Sequence, residues 1–415
     1  MLPMNQPTNP GMEEPHTWRS YLVSMLASAL AMVCLVGGFN VLMDPMSVFN
    51  SPKWPGVNAD KPYLTHHREL ARFYKARRWC GDSAILGNSR AEIGFDPTSP
   101  AFAAARLRPF NHAIAGTGLN TSHRQLLWLA AEKCIPQTIF LGVDFFDFLG
   151  GTALQPPQSM QSYPRPALDT GFWTEAIFSL TGLRDSVATL MLQRNRFAST
   201  TTDRGFNPLL EYVPEAQRSG YFPLFRQRAG ENLTNWARKP ARLRPVTGGP
   251  SEDEAVLEGI LAQGQSTGSK MVLIIYPYHA QIRLMVERLG LGALFADWKR
   301  QVFEAAQRQS GKGGKIELWD FSGLSPETLE EIPAKGDRAT QLRFYWEGGH
   351  FKKELGDRLI SRVLGGPGEF GVRLSTSEQL ERWLALDRLQ VQQRLAAPSR
   401  LLTDVDEVFA ARSKK

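Results

Sequence analysis

Cysteine is scarce in this chain of 415 residues, which contains three: Cys34, Cys80 and Cys134. Three cysteines are too few for a fold held together by several disulfides, and their spacing does not match a zinc module. A single disulfide between two of these cysteines is still possible. We therefore expect a fold that is stabilised by its hydrophobic core, without structural zinc.

Long basic runs are also missing, although the chain has a net charge of +7. Nucleic-acid binding would have only this bulk charge behind it, so we expect no nucleic-acid partner. Attraction to an anionic membrane surface explains the charge equally well. The hydrophobic content of 42% excludes wholesale disorder.

One segment, residues 21–43, is long and apolar enough to span a bilayer, which needs roughly 20 residues. It contains no charge, and Asn40 is its one strongly polar residue. We interpret it as an uncleaved transmembrane helix between a polar tail (1–20) and a tether (44–63). A cleaved signal peptide and a buried helix are the alternatives.

The charges that flank this segment define its orientation poorly. Arg19 precedes it, and Lys53 and Lys61 follow it. The count favours a cytoplasmic C-terminal side by one charge. Because large domains are translocated despite such charges, we leave the orientation to the motifs.

Short apolar runs alternate with helical patterns further along the chain, which predicts an α/β fold with a parallel sheet. The predicted strands are residues 84–86, 110–114, 138–143, 271–276 and 315–319. We place the α/β domain at 64–370, with an inserted lid at 149–250 and a C-terminal helical extension at 371–415.

Polar residues follow these strands, at the edge where open α/β sheets bind ligands. Asn88, Ser89 and Arg90 follow the first strand, and Asp144 follows the third. Glu347 and His350 come later, in front of a helical pattern. A serine, a histidine and a carboxylate are the components of a nucleophilic triad, because the histidine activates the serine and the acid orients the histidine.

Four short segments in this order resemble the conserved blocks of SGNH (GDSL-like) hydrolases and acyltransferases: residues 86–89, residues 111–116, residues 141–144, and Glu347 with His350. The resemblance implies a flavodoxin-like three-layer sandwich with about five parallel strands. It also implies that Ser89 is the nucleophile, that His350 is the base and that Glu347 orients it. The oxyanion would be bound by the N–H groups of Ser89 and Gly116 and by the third block.

Two positions depart from that pattern. Asp144 stands where the family has an asparagine that donates to the oxyanion, and an ionised carboxylate cannot donate. Loss of one such donor costs roughly 3 kcal/mol, and Asn88 or Arg90 could compensate while binding substrate. Glu347 replaces the usual aspartate, which is the milder change.

Other assignments stay open for several of these residues. Ser89 and Asn88 are also good helix caps, and His350 could be an ordinary surface residue. His279 follows the fourth strand and is a candidate for substrate binding. Asp320 follows the fifth strand and competes with Glu347 as the partner of His350.

Cys80 and Cys134 lie just before the first and third strands. These strands are neighbours in a flavodoxin-like order, so the two cysteines could pair. Such a disulfide would indicate an oxidising compartment. Two buried thiols are the alternative.

These observations favour a membrane-anchored, serine-dependent esterase or O-acyltransferase that acts on acylated glycans or lipids of a bacterial cell envelope. No cofactor or metal is expected. The resemblance implies a single-pass protein of the inner membrane, with a periplasmic C-terminal domain and a membrane-bound acyl-transfer protein as a partner. The alternative is a non-catalytic binding or scaffold protein with an SGNH fold.

Overall fold

A computed structural model describes residues 15–64, 67–153 and 170–413. The strands are β1 Ser83–Leu86, β2 Pro109–Asn111, β3 Thr138–Val143, β4 Lys270–Ile275, β5 Lys315–Asp320, β6 Tyr345–Glu347, β7 His350–Phe351 and β8 Val372–Leu374. The first helices are α1 Pro15–Met43, α2 Arg68–Trp79, α3 Ser89–Gly94, α4 Pro100–Ala104, α5 Leu119–Ala131, α6 Phe145–Phe148, α7 Thr170–Phe178 and α8 Leu180–Leu192. The others are α9 Tyr212–Ser219, α10 Tyr221–Trp236, α11 Glu252–Ser266, α12 Ala280–Arg288, α13 Gly292–Gly311, α14 Lys353–Val363, α15 Ser377–Ala396 and α16 Arg400–Ser413.

The five apolar runs form the parallel part of a central sheet with the order β2-β1-β3-β4-β5-β8. Ser83 of β1 lies opposite Thr138 of β3, and Thr138 lies opposite Lys270 of β4. This register aligns the amino-terminal ends of the strands at one edge and their carboxyl ends at the other. Residues that follow β1, β3 and β4 are therefore brought to one side of the molecule.

The sheet has one strand more than the sequence predicts. β8 pairs antiparallel with the edge strand β5, with Leu374 opposite Leu318. Its three residues, one of them the exposed Arg373, contain no apolar run that would distinguish them from a loop. The fold is thus mixed α/β, with a mostly parallel sheet.

Two groups of helices surround this sheet. One group consists of α2, α5, α11 and α13, which pack side by side in that order. The second group consists of α3, α4 and α14. The strands between them are buried along nearly their whole length, as in β1, where all four residues are inaccessible. This burial explains why the runs are continuously apolar and do not alternate.

α1 begins at Pro15, ahead of the predicted start at residue 21, and the first 14 residues of the predicted tail lie outside the described residues. Residues Trp18–Met43 are long and apolar enough to cross a membrane, with a mean hydropathy of 2.2. The predicted tether folds back onto the end of this helix. Asn58 Nδ2 donates to Leu42 O at 2.7 Å, and Lys61 Nζ donates to Met43 O at 2.7 Å. A lysine at this position complements the helix dipole, and these two bonds hold residues 58–61 against the end of α1.

Candidate active site

Ser89 is the first residue of α3, directly after the turn that follows β1. Gly87 has φ +143° in this turn, and a methyl group there would come within 2.3 Å of Tyr276 Oη, so the position requires glycine. Asn88 caps the helix, because its side-chain oxygen accepts from Arg90 N at 3.1 Å. The capping role therefore belongs to Asn88, and the Ser89 hydroxyl is free for another partner.

That partner is His350, whose Nε2 lies 2.8 Å from Ser89 Oγ. The hairpin β6–β7 turns at Gly348 and Gly349 and brings Glu347 next to His350. His350 Nδ1 bonds to Glu347 Oε1, and Glu347 Oε2 accepts from Gly349 N at 2.7 Å. A carboxylate on Nδ1 holds the proton on that nitrogen and leaves Nε2 free to accept a proton from the serine.

Glu347 is only 1% exposed. Burial raises the pKa of this carboxyl. His350, the Gly349 N–H and Arg228 lower the pKa by more than burial raises it, so the net pKa lies below the ordinary value. Glu347 is consequently ionised at neutral pH. It meets the electrostatic requirement for stabilising a positively charged His350.

Two backbone amides are available for an oxyanion. Neither Ser89 N nor Gly116 N has a hydrogen-bond partner among the residues that the structure describes. Gly116 has φ +73° in an exposed loop after β2. Glu92 of α3 ties this loop to the serine helix, because its Oε2 accepts from Ala115 N at 3.0 Å.

The carboxylate of Asp144 is hydrogen-bonded through both oxygens and does not present an unpaired charge near Ser89. Its Oδ2 accepts from Asn88 Nδ2 at 2.8 Å and also binds Arg90. Its Oδ1 accepts from Tyr278 Oη at 2.8 Å and from Phe146 N at 3.1 Å. Burial, followed by Asp144, raises the pKa of Tyr278 well above its usual range, which keeps the phenol protonated as a donor. Four donors thus saturate the carboxylate.

Arg90 lies between this carboxylate and the triad hairpin. Its guanidinium carbon is 5.2 Å from the centre of the Tyr278 ring, and its side chain is 11% exposed. A methyl group on Gly349 would lie 3.6 Å from Arg90 Nη2, which places the cation beside the turn that carries Glu347. Within the described part of the chain, Arg90 Nε is buried without a hydrogen-bond partner.

His279 and Asp320 are engaged elsewhere, contrary to their predicted roles. His279 is buried, with Nε2 bonded to Glu330 O at 2.8 Å and Nδ1 accepting from Gln281 N at 3.0 Å. Neither ring nitrogen is left for a substrate. Asp320 is buried beside Lys299 at 2.8 Å and accepts from Trp383 Nε1 at 2.7 Å, so it does not orient His350.

Cys80 and Cys134 form a disulfide, with Cα atoms 5.2 Å apart, at the amino-terminal edge of the sheet. Their pairing follows from the adjacency of β1 and β3. The bond lies at the edge opposite Ser89 and is structural. Cys34 is a free, exposed cysteine on α1.

Two residues near the site carry no clear signal in the sequence. Glu92 is fully buried and pairs with Arg72, and it positions the Gly116 loop. Arg228 of α10 donates through Nε to Tyr212 Oη at 3.1 Å and lowers the pKa of Glu347. Glu92 could have been noticed as an acidic residue three positions after Ser89. Arg228 is one of many arginines in its region, so the sequence does not distinguish it from the others.

Among residues 15–64, 67–153 and 170–413, no group of three His, Cys, Asp or Glu side chains is arranged to hold an ion. No protein-family model, curated protein or solved structure matches the chain. The assignment of chemistry therefore depends on the geometry of Ser89, His350 and Glu347 together with the four short segments.

Proposed function

We propose that this protein is a serine-dependent esterase or O-acyltransferase of the SGNH type. The observation that carries the proposal is the hydrogen-bonded series Ser89–His350–Glu347 at the carboxyl edge of the sheet. Ser89 meets His350 and Glu347 there across 261 positions of sequence, in the order nucleophile, base and acid. Such an arrangement is the minimum that an activated serine requires.

In the proposed reaction, Ser89 Oγ attacks the carbonyl carbon of an acyl ester while its proton passes to His350 Nε2. The negative charge on the carbonyl oxygen is bound by the Ser89 and Gly116 N–H groups. The tetrahedral species collapses, the ester C–O bond breaks, and the leaving alcohol takes the proton from His350. Water or an acceptor hydroxyl then attacks the acyl carbon while its proton passes to His350 Nε2. The bond between that carbon and Ser89 Oγ breaks, and His350 returns the proton to Ser89 Oγ.

Asp144 is compatible with this chemistry because Arg90 balances its charge. A free carboxylate beside the oxyanion would oppose catalysis, whereas the pair is close to neutral. This charge balance supports the enzymatic proposal over the non-catalytic alternative.

The proposed setting is a bacterial inner membrane, with α1 as a single-pass anchor and the α/β domain in the periplasm. The apolar length of α1 supports the anchor, and the disulfide between Cys80 and Cys134 supports an oxidising compartment. Acylated envelope glycans or lipids are the proposed substrates, and a membrane-bound acyl-transfer protein is a proposed partner. These two assignments rest on the resemblance of the four segments.

A fluorophosphonate probe tests the nucleophile, because it phosphonylates serines that an adjacent base activates. The full chain should be used in detergent, since tether residues hold the end of α1. We expect labelling at Ser89, detected by peptide mass spectrometry, and none at Ser83, which is the buried first residue of β1 at the opposite edge of the sheet.

His350→Ala should abolish this labelling. His67→Ala is the matched control, because His67 is a partly exposed histidine that pairs with Glu175 at 2.9 Å, outside the triad. Absence of labelling in the folded wild-type protein would overturn the enzymatic proposal and favour a binding protein. Equal loss in both variants would show a general effect on folding.

A further inference from the structure

The polar and apolar faces of the helix α8 are placed opposite to those of a helix on the surface of a water-soluble protein. The buried face of α8 is made of small and polar residues, whereas its exposed face carries large apolar residues together with Arg184. The buried residues are Gly182, Asp185, Ser186 and Thr189. The exposed apolar residues on α8 are Leu180, Val187, Leu190 and Met191. A helix that faces water shows its polar side outward, so this surface is suited to another medium.

The preceding turn extends the same apolar surface. Phe178, at the end of α7, is 51% exposed, Leu180 is 84% exposed and Met191 is 62% exposed. Large apolar side chains at such exposures normally occur singly on the surface of a soluble protein. Here they follow one another along a single helical hairpin, α7–α8.

This hairpin packs directly against α1. Asn40 Nδ2 donates to Ile177 O at 2.8 Å, so the one strongly polar residue of the apolar segment is used to hold the hairpin. A methyl group on Gly37 would lie 2.8 Å from Phe178 Cε1, and one on Gly182 would lie 3.3 Å from Asn40 Nδ2. Small residues at both positions permit the close approach that is typical of helices packed in membranes.

The contact also gives the depth of the hairpin. Gly37 lies six residues before the end of α1 at Met43, which is about 9 Å along a helix. Amphipathic helices at membrane surfaces bury their apolar face by about 5–10 Å. The turn between α7 and α8 therefore reaches the level of the headgroup and acyl-chain boundary if α1 spans the membrane.

The charges near the apolar face agree with that position. Arg184 on α8 is exposed, and Arg194 and Arg196 follow the helix and are exposed as well. Arginines at this level can contact lipid phosphates while the apolar residues enter the acyl region.

We propose that α7–α8 is a second membrane-binding element, which lies in the interfacial layer of the bilayer with Phe178, Leu180, Val187, Leu190 and Met191 against lipid. The inference rests on the proposed role of α1 as a membrane anchor. It assigns part of the predicted lid to the membrane, and it limits rotation of the α/β domain about α1 by giving that domain two points of attachment.

Site-specific fluorescence in lipid nanodiscs tests this proposal with the full chain. Single cysteines are placed at Leu180, Val187 or Met191 in a Cys34→Ala background and labelled with the environment-sensitive fluorophore NBD. Quenching by doxyl-labelled phosphatidylcholine reports lipid contact, and quenching by iodide reports water. Leu30→Cys on α1 is the positive control, and Val246→Cys, 81% exposed in a loop, is the matched apolar control.

We expect the three hairpin positions to resemble Leu30→Cys, with at least twofold stronger quenching by lipid than Val246→Cys shows. Quenching by iodide at those positions, with Leu30→Cys quenched by lipid, would overturn the proposal while leaving the anchor intact. Protection from both quenchers would also overturn it, because a protein partner would then cover the face. Lack of lipid quenching at Leu30→Cys would instead refute the anchor itself.

Discussion

The buried pair between Arg90 and Asp144 offers a test of how the site is held together. Asp144→Asn keeps the shape of the side chain and removes its charge. The guanidinium of Arg90, 11% exposed, would then remain buried without a charged partner. Breaking a buried ion pair in this way costs about 3–5 kcal/mol.

For a domain of this size, a loss of that magnitude corresponds to a decrease of roughly 6–10 °C in the thermal midpoint, at about 2 °C per kcal/mol. Arg90→Met removes the other partner and leaves Asp144 with its neutral donors. The double variant removes both charges. We expect it to lose about 1–3 kcal/mol less than the sum of the two single losses, since the two residues are in direct contact.

The measurement is thermal unfolding of the full chain in detergent, monitored by intrinsic tryptophan fluorescence. Glu381→Gln is the matched control, because Glu381 pairs with Arg300 through two hydrogen bonds of 2.7 and 2.8 Å on the exposed surface. An exposed pair contributes at most about 1 kcal/mol. If Asp144→Asn changed the midpoint no more than Glu381→Gln does, or if the losses were additive, the buried pair would not be the support that we infer.

The same variant distinguishes the structural role of Asp144 from a catalytic one. An asparagine at this position is the oxyanion donor in the resembling family, so Asp144→Asn could be expected to accelerate labelling of Ser89. We expect slower labelling, because the Asn88 amide and Arg90 both need an acceptor there. A faster rate would refute this reasoning.

Three further predictions concern the triad, the disulfide and acid stability. Glu347→Gln should slow fluorophosphonate labelling by about 10³–10⁴-fold, because the amide no longer stabilises a charged imidazole; a change below tenfold would exclude Glu347 as the orienting acid. Reduction of Cys80–Cys134, which closes a loop of 54 residues, should lower the free energy of unfolding by about 4 kcal/mol in urea titrations, and a Cys80→Ser/Cys134→Ser variant should be insensitive to the reductant. Burial lowers the pKa of His112 to about 4, so the unfolded chain binds a proton that the folded chain refuses. The free energy of unfolding should therefore fall by about 3 kcal/mol through His112 alone as the pH drops from about 6.5 to 4. Because burial lowers the pKa of His279 to about 4 as well, His112→Asn should remove about half of the combined dependence in urea titrations.

The parallel strands were predictable because burial on both faces leaves a direct mark on the sequence. β3 occupies residues 138–143 as predicted, and β4 and β5 differ from their predictions by single residues. The edge strand β8 has three residues and no such mark. The hairpin β6–β7 was also missed: residues near Phe351 were assigned to the start of a helix, whereas α14 begins at Lys353.

The positions of Ser89 and His350 could be predicted from the sequence, but the residues that hold the site in place could not. Ser89 could be located because it follows a buried strand, and His350 because it completes a known set of residue types. Arg90 looked like a compensating donor and Asp144 like a defect when each was considered alone. The roles of Arg90 and Asp144 follow from their contact across 54 positions of sequence, to which Tyr278 adds a donor from the segment that follows β4. Pairwise chemistry of this kind is set by the register of the sheet.

The α7–α8 hairpin shows the opposite limit of sequence reasoning. Residues 170–192 lie within the predicted lid and form two helices, and a helix such as α8 in water would be expected to turn its apolar face to the core. Asp185, Ser186 and Thr189 occupy the buried face instead, where Thr189 Oγ1 bonds to Asp185 O at 2.7 Å. Periodicity fixes which residues share a face, and the medium decides which face turns outward. Asn40 is the one feature of the sequence that indicates the arrangement, because an amide inside an apolar helix requires a partner, and that partner is the hairpin.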